Sequence, residues 1–329
     1  MEQVLVRAAR VWRKVAGNGT ALERSVKRRY RSAVRVERGT SAAVYTNQHG
    51  VVVQSRKGAE PKRGVFLRGG CDLPSLFLTA PLVRDSIKKG SIAIARPPEG
   101  AGSSQTAQLL QAIEGVPLNM VAETCRRLRL RPSFLKPTLL DDSFLTPGLE
   151  RFGSYPKTVV VFSVGSDLTR SLHRHREHGF LVDIGGWWLN QSLDKAIKDV
   201  ETLRWFQKNF EAEGRISPPD FASNLSKIVH LLRERIGAEP IVLNTLVVEP
   251  GSPHHNYQLL APDHFTRTRE FNIALTEVSR ALGFHILDVD RVLKQGGIRD
   301  QLDFAHVPVE AKMPIAREAF RILRELEIV

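Results

Sequence analysis

The sequence predicts an α/β protein built on a doubly wound, mainly parallel sheet. Strand patterns alternate with helical patterns from residue 64 to the C-terminus, which is typical of βαβ units. The strongest strand pattern, 158–164, is a continuous β-branched run, as expected of a strand buried on both faces. Turn-forming Gly and Asp residues follow several of these strands. We therefore expect functional side chains in loops at the carboxyl edge of the sheet.

Residues 1–62 form a predicted basic N-terminal extension. They contain 14 Lys and Arg residues and four acidic residues, a net charge of +10, whereas the rest of the chain carries +3 of the total of +13. Apolar and basic residues fall largely on opposite faces of two predicted helices, 2–16 and 20–34. Polar and Gly residues at the centre of 43–54 predict a hairpin, and a polar linker then leads into the main domain, 63–329.

The charge of this extension indicates an acidic partner. Basic amphipathic helices with a Trp are candidates for lying on anionic membranes, so residues 1–36 are a candidate membrane-binding segment. The alternative is that both helices pack on the main domain and leave their charges in solvent. A nucleic-acid partner is disfavoured because no recognised binding motif accompanies the charge.

The composition predicts an ordinary soluble protein of the cytoplasm. Hydrophobic residues make up 42% and charged residues 25% of the chain. No apolar run is long enough to span a bilayer, and basic residues interrupt any signal-peptide core near the N-terminus. The two cysteines, Cys71 and Cys125, do not make a disulfide framework, which indicates a reducing compartment. A peripheral membrane position is the alternative that the basic extension favours.

Strands and helices alternate through the main domain. The predicted strands cover 64–67, 91–95, 158–164, 240–248 and 284–289. The predicted helices cover 74–89, 105–113, 118–128, 221–236, 264–282 and 309–326. An insertion at about 168–220 interrupts the alternation, and we expect it to form a flap or hairpin beside the site.

Cys71 is the first candidate nucleophile. It lies in a Gly-Gly-Cys-Asp turn between the first strand and the first helix of the main domain. Glycines permit a tight turn, and a following helix N-terminus favours a thiolate and offers backbone N–H groups to an oxyanion. The alternative is a buried structural cysteine, which is the commoner fate of a lone Cys.

The turn after the strongest strand carries a second candidate group, Ser166 and Asp167. Ser166 could act as a nucleophile or as an oxyanion donor, and Asp167 could orient a neighbouring group. The structural alternative is that one of the two side chains caps the next helix.

Asp303 and His306 precede the last predicted helix. A carboxylate and an imidazole three residues apart can project from one short turn, where the Asp fixes the His tautomer and the His acts as a base. An Asp-x-x-His pair alone also occurs as a helix cap, so its meaning depends on the upstream turns.

The insertion contains His173, His175, Glu177 and His178, and later the pair Trp187-Trp188. Interleaved arginines and the absence of a helical i, i+4 His pair argue against a metal site, and a solvated loop or an anion contact is the preferred interpretation. The two tryptophans are interpreted as packed or flap aromatics, with a sugar-binding platform as the alternative.

The order of these segments resembles the SGNH (GDSL-like) hydrolase superfamily over residues 64–329. The matching segments are a Gly-Cys turn after strand one, a Gly-rich loop after strand two, a Gly-polar-polar turn after strand three, and an Asp-x-x-His before the last helix. The tail 284–326 is the most specific part of the match. The resemblance implies a flavodoxin-like three-layer αβα sandwich and ester chemistry, in which an Asp-His pair activates the nucleophile.

The family's site residues carry over to this chain in part. Asp303 and His306 match the Asp-His pair, Cys71 takes the nucleophile's place, and Gly100 or Gly102 takes that of the oxyanion-hole Gly. The chain has Cys where the family usually has Ser, which looks more like the Gly-Ser-Cys branch. The third segment lacks the family's oxyanion Asn, so the resemblance implies either an oxyanion hole rebuilt with Ser166 or an altered, inactive site.

We therefore predict an esterase or O-acyltransferase for a small-molecule or glycan ester. An acetylated carbohydrate is the suggested substrate class, with Asp72, Asp167, Trp187 and Trp188 beside it. No cofactor or metal is predicted. The alternative is a non-catalytic protein with the same scaffold that binds a glycan or an anionic surface.

Overall fold

The computed structural model describes residues 42–46, 51–55, 63–68, 73, 85–86, 92–96, 105–114, 118–129, 157–163, 165–184, 192–247, 263–297 and 309–329. The strands within them are β1 Ala42–Thr46, β2 Val51–Ser55, β3 Arg63–Arg68, β4 Ala93–Arg96, β5 Lys157–Ser163, β6 Leu172–His175, β7 Leu181–Val182, β8 Phe210–Gly214, β9 Ala238–Leu243 and β10 His285–Leu287. The helices are α1 Thr106–Glu114, α2 Leu118–Leu128, α3 Gly165–Thr169, α4 Leu193–Ala196, α5 Val200–Asn209, α6 Pro218–Ile236, α7 His264–Leu282, α8 Val289–Gln295 and α9 Val309–Glu325.

The main sheet has seven strands in the order β1-β2-β4-β3-β5-β9-β10. In this sheet, β4, β3, β5, β9 and β10 each pair in parallel with their neighbours in that order. Numbered along the chain, these five parallel strands have the order 2-1-3-4-5, which is that of flavodoxin-like doubly wound folds. The predicted α/β class with a mainly parallel sheet is confirmed.

The predicted hairpin at 43–54 is also present, as β1 and β2. These strands pair antiparallel, with Thr46 opposite Val51, and β2 pairs antiparallel with β4. The hairpin therefore extends the edge of the main sheet. The two helices predicted upstream lie outside the described residues, and the domain boundary at 62/63 stays a prediction.

Helices cover both faces of the parallel strands. Because side chains alternate along a strand, Phe66 and Val160 enter one core with α1, α6 and α7. Their neighbours Val65 and Val159 enter a second core with α8 and α9. This alternation explains why β3 and β5 are apolar on both faces, and it produces a three-layer αβα arrangement.

The boundaries of α6 follow from local sequence. The Ser217 side chain accepts the N–H of Asp220 at the N-terminus, and proline occupies the first positions of the helix. The helix ends at Gly237, whose left-handed φ of 60° places its N–H near the carbonyls of Leu232 and Arg233. The same device ends α7 at Gly283, with φ 65°.

The insertion forms more than the expected flap or hairpin. Strands β7, β6 and β8 make a three-stranded antiparallel sheet, which packs with α4 and α5. Phe180, Phe206 and Phe210 form the centre of a third core, with ring centroids of Phe206 and Phe210 4.6 Å apart. The aromatic residues supply enough apolar surface for a small separate core, which a simple hairpin lacks.

Two predicted strands end earlier than expected. The pattern at 240–248 gives β9 only to Leu243, and the pattern at 284–289 gives β10 only to Leu287. Asn244 and Asp288 then bind each other across the strand ends, Nδ2 to Oδ1, at 2.7 Å. Asp288 also accepts the N–H of Arg291 and so begins α8, a helix that the sequence analysis did not predict.

None of the helices in the described part of the chain combines the length and apolar composition of a bilayer-crossing segment.

Replacing Gly237 with Ala should destabilise the protein by about 1–2 kcal/mol, because a Cβ at positive φ is strained even where the space is open. Chemical denaturation measures the effect. Gly296→Ala is the matched control, since Gly296 ends α8 at an ordinary φ of −79°. Equal destabilisation by both substitutions would contradict the explanation.

Candidate functional site

The carboxyl ends of β3 and β5 lie side by side at the centre of the sheet. Arg68, the last residue of β3, pairs with Phe162 near the end of β5. The chain continues from β3 to β4 on one side and then returns to β5 on the other, so the strand order reverses between β3 and β5. Doubly wound folds bind ligands in the crevice outside such a switch point.

The structure describes two of the predicted site residues, Ser166 and Asp167. The others lie outside the described residues, and their assigned roles stay predictions: Cys71, Asp72, Gly100, Gly102, Trp187, Trp188, Asp303 and His306.

Residues that flank the predicted nucleophile and base share one core. Leu73, two residues after Cys71, is completely buried. It belongs to the same cluster as Ala311 and Ile315 of α9, the helix that begins three residues after His306. Packing on this face of the sheet therefore holds chain segments next to both predicted catalytic residues.

Helix α3 follows β5 directly and contains the predicted Ser166. The main-chain carbonyl of Ser166 accepts hydrogen bonds from the N–H of Arg170, at 3.1 Å, and from Nε2 of Gln105, at 3.3 Å. Gln105 Nε2 also donates to the carbonyl of Arg170, at 2.9 Å. A buried glutamine from the start of α1 therefore fixes the backbone of this turn.

Asp167 is completely buried and caps a helix far away in sequence. Its Oδ1 accepts the backbone N–H of Thr106 at 2.9 Å and the Thr106 hydroxyl at 2.8 Å. Thr106 is the first residue of α1, where backbone N–H groups lack partners within the helix. The capping alternative is correct in kind, but the capped helix lies 61 residues earlier instead of next in the chain. Contact of Asp167 with substrate stays a prediction.

The environment of Asp167 favours its protonated form. Burial raises the pKa of Asp167 to about 7, although the Thr106 hydrogen bonds and the positive charge of Arg267 oppose this. Its second oxygen, Oδ2, is shielded from solvent and accepts no hydrogen bond from the described part of the chain. Perturbed carboxyl groups of this kind are enriched at functional sites.

Arg267 of α7 completes this cluster, which comprises Gln105, Thr106, Ser166, Asp167 and Arg267. Its Nε donates to the carbonyl of Leu168 and its Nη2 to the carbonyl of Asp167, each at 3.1 Å, and Nη2 also donates to the carbonyl of Ile216. No sequence motif marks Arg267 as part of a site. The available signal was the helical spacing: Arg267 lies four residues before the buried Phe271 and so shares its face of α7.

The histidines of the insertion serve its packing. His175 is buried, and its Nδ1 accepts the N–H groups of Glu177 and His178 in the turn between β6 and β7. Its ring stacks on Phe180, with centroids 4.9 Å apart, and His173 contacts Phe206 edge-on. Burial lowers the pKa of both His173 and His175, so the neutral imidazoles are favoured. No group of His, Cys, Asp or Glu within the described ranges is arranged to hold a metal.

A cavity of about 580 Å³ lies between α1, the N-terminal part of α6 and the insertion sheet. Ala107, Leu110 and Ile216 contribute apolar surface, and Arg174 and Asn224 contribute polar surface. Neither Ser166 nor Asp167 lines it. Gln111 joins α1 to the insertion sheet: its Nε2 donates to the carbonyl of Leu181, and its Oε1 accepts the N–H of Leu181.

Cys125 belongs to the core of the insertion, on α2. It is buried, and burial raises the pKa of its thiol to about 11. The thiol is therefore protonated at neutral pH, which makes it a poor nucleophile.

Several solved structures are similar to this chain. The lipase/acylhydrolase from Enterococcus faecalis is 13% identical, with a TM-score of 0.39, over 80% of this chain and 96% of that chain. Est24, a carbohydrate acetylesterase from Sinorhizobium meliloti, is 12% identical, with a TM-score of 0.36, over 80% and 99%. Phospholipase A1 from Streptomyces albidoflavus NA297 is 10% identical, with a TM-score of 0.37, over 81% and 99%. These likenesses are distant.

No protein-family model and no curated protein matches the chain.

The stability of the protein should depend on the ionisation of Asp167. Its native pKa of about 7 lies above the ordinary value of 3.8, so the folded state binds this proton more tightly than the unfolded state. The stabilisation is complete below pH about 4, falls by about 1.4 kcal/mol per pH unit between pH about 4 and pH about 7, and is lost above that range, a total of roughly 4 kcal/mol.

Asp167→Asn should remove this contribution to the pH dependence, because the amide is a neutral isostere. Urea denaturation between pH 5 and pH 8 measures the free energy of unfolding of both proteins. As the pH rises, the wild type should lose stability relative to Asp167→Asn. Parallel pH curves for the two proteins would contradict the buried-carboxyl explanation.

Proposed function

We propose that this chain is an SGNH-like esterase or O-acyltransferase that acts on an O-acyl substrate. The observation that carries the proposal is the parallel pairing of β3 and β5 at the switch point of the sheet. The segment with Cys71 follows β3, and the turn with Ser166 follows β5. At about 3.5 Å per residue, the three residues from Arg68 to Cys71 span at most roughly 11 Å, which keeps both segments near one crevice.

Cys71 is the proposed nucleophile. Its thiolate attacks the ester carbonyl carbon after His306 accepts the thiol proton, and Asp303 holds the imidazole in the required tautomer. Collapse of the tetrahedral intermediate breaks the carbon–oxygen bond of the ester, and His306 returns the proton to the departing alcohol. Water or an acceptor hydroxyl, whose proton His306 accepts, then attacks the thioester carbonyl. The carbon–sulfur bond breaks and His306 returns the proton to the Cys71 sulfur, which gives hydrolysis or acyl transfer respectively.

The proposed oxyanion hole combines backbone N–H groups with Ser166. Ser166 lies at the start of α3, and its carbonyl is held by Gln105, so the turn has a defined backbone. Gly100 or Gly102, in the segment that leads into α1, would supply a further backbone N–H. Ser166 as nucleophile with Cys71 in a structural role is the alternative within the same reaction class.

The substrate is proposed to be an acylated carbohydrate. Trp187 and Trp188 would provide aromatic faces for a sugar ring, and Asp72 is the proposed polar contact. The proposal for the substrate rests on residue types, whereas the proposal for the reaction also rests on the topology of the sheet.

Removing the proposed nucleophile or base should abolish most of the activity. Cys71→Ala and His306→Ala should each lower the rate of p-nitrophenyl acetate hydrolysis, or of acetyl transfer to a sugar, by at least about 100-fold. Ser166→Ala should lower kcat by about 100-fold if Ser166 stabilises the oxyanion. Cys125→Ala is the matched control, because it removes the other cysteine, whose thiol is buried in a separate core.

Two outcomes would change this assignment. If Cys71→Ala retains activity and Ser166→Ala loses it, Ser166 is the nucleophile. If activity exists and both Cys71→Ala and His306→Ala retain it, the proposed site is wrong.

We also propose that residues 1–36 bind an anionic surface. The net charge of +10 in residues 1–62 supports this proposal, since each basic residue near an anionic membrane contributes about 1 kcal/mol of attraction. A scaffold that binds a glycan or such a surface without catalysis is the second candidate function. It accounts for the charge, but it gives no role to Asp303 and His306.

The full chain should co-sediment with vesicles that contain phosphatidylserine, and a chain that lacks residues 1–36 should not. Binding should weaken as the salt concentration rises, because the attraction is electrostatic. Equal binding to neutral and anionic vesicles would contradict the proposal.

A further inference from the structure

The clamp formed by Gln105, Thr106 and Asp167 joins two segments that follow different strands. Gln105 and Thr106 stand at the end of the segment that leads from β4 into α1, and Asp167 lies in the turn after β5. Gln105 Nε2 donates to the main-chain carbonyls of Ser166 and Arg170, and the N–H and hydroxyl of Thr106 donate to Asp167 Oδ1. The position of either segment therefore depends on the other.

Asp167 is the ionisable member of this clamp. Its side chain has no exposure to solvent, and its Oδ2 accepts no hydrogen bond within the described ranges. A carboxylate that served only to cap α1 could remain partly hydrated, as Asp199 does at the start of α5. Complete burial of a carboxyl group carries a cost that an ordinary cap avoids.

The charged groups around Asp167 are few. Arg267 of α7 is the charged side chain that acts on it among the described residues, and Arg215 and Asp263 act in turn on Arg267. Helix α1 presents Gln105 and Thr106, which do not titrate. The attraction of Arg267 is outweighed by burial, so ionisation of Asp167 favours an arrangement in which water reaches the carboxylate.

We propose that Asp167 is a positioning residue that holds the Ser166 turn against the start of α1 while its carboxyl group is neutral, and that releases this turn when it ionises. The inference rests on the proposed function, because it takes the Ser166 turn as part of an ester-cleaving site. It goes beyond that function by making the geometry of the oxyanion region depend on a group that contacts no reacting atom. The Ser166 turn then loses order as the pH rises and Asp167 ionises.

The inference is tested by the kcat of Asp167→Asn divided by the kcat of the wild type, measured as a function of pH. Any titration that the two proteins share cancels in this ratio of kcat values. The ratio should rise by at least about threefold between pH 6 and pH 8, because only the wild type ionises at residue 167. For Asp199→Asn, the matched helix-cap control in the insertion, the corresponding ratio should stay constant. A constant ratio for Asp167→Asn would overturn the proposal.

Hydrogen exchange provides a second test that needs no substrate. Protection of the Thr106 amide, which donates to Asp167, and of the Arg170 amide, which donates to the Ser166 carbonyl, should fall with rising pH in the wild type and stay level in Asp167→Asn, after correction for the intrinsic rate. Thr106→Val, which removes the hydroxyl donor, should lower the protection of the Arg170 amide at every pH. If amide protection depended on pH equally in the wild type and in Asp167→Asn, the proposed release of the Ser166 turn would be refuted.

The two tests separate this inference from the proposed function. If no ester is cleaved but amide protection follows Asp167, the function is wrong and the conformational effect of Asp167 stands without a catalytic role. If esters are cleaved but neither the ratio nor the protection changes with pH, the function stands and the positioning role is wrong.

Discussion

Strands β3 and β5 pair in parallel over six residue pairs, from Arg63 with Lys157 to Arg68 with Phe162. Their side chains alternate between two separate cores, so both faces of the pair are buried beneath helices. A one-residue shift in register would exchange the sets of side chains that fill the two cores. This pairing fixes the helix layers, and it brings the chain segments after both strands to one side of the switch point.

Polar side chains replace strand pairing where the chain leaves the sheet. Beyond β5, Asp167 binds the start of α1 and Arg267 binds the carbonyls that follow. Beyond β9, Asn244 binds Asp288, and Asp290 accepts the N–H of Val247 at 2.8 Å. Irregular backbone buried at a sheet edge needs such partners, because unpaired N–H and C=O groups are costly. The same contacts give this edge of the sheet a defined shape.

The insertion shows how one residue type serves different purposes in different surroundings. Its histidines resemble a ligand cluster in sequence, but His175 forms a turn through Nδ1 and stacks on Phe180. Burial in an aromatic core keeps such rings neutral. The small sheet, α1 and the N-terminal part of α6 enclose a cavity, which neither Ser166 nor Asp167 lines.

The sequence by itself determined the α/β class and the helices α2 and α7, whose predicted bounds agree with the structure, since periodicity and Gly caps are local signals. It also placed Ser166 and Asp167 directly after the end of β5. It did not predict the partner of Asp167, which lies 61 residues away, or the buried role of Arg267. Only the tertiary structure decided these, because strand order and helix packing bring together residues whose separation along the chain carries no periodic signal.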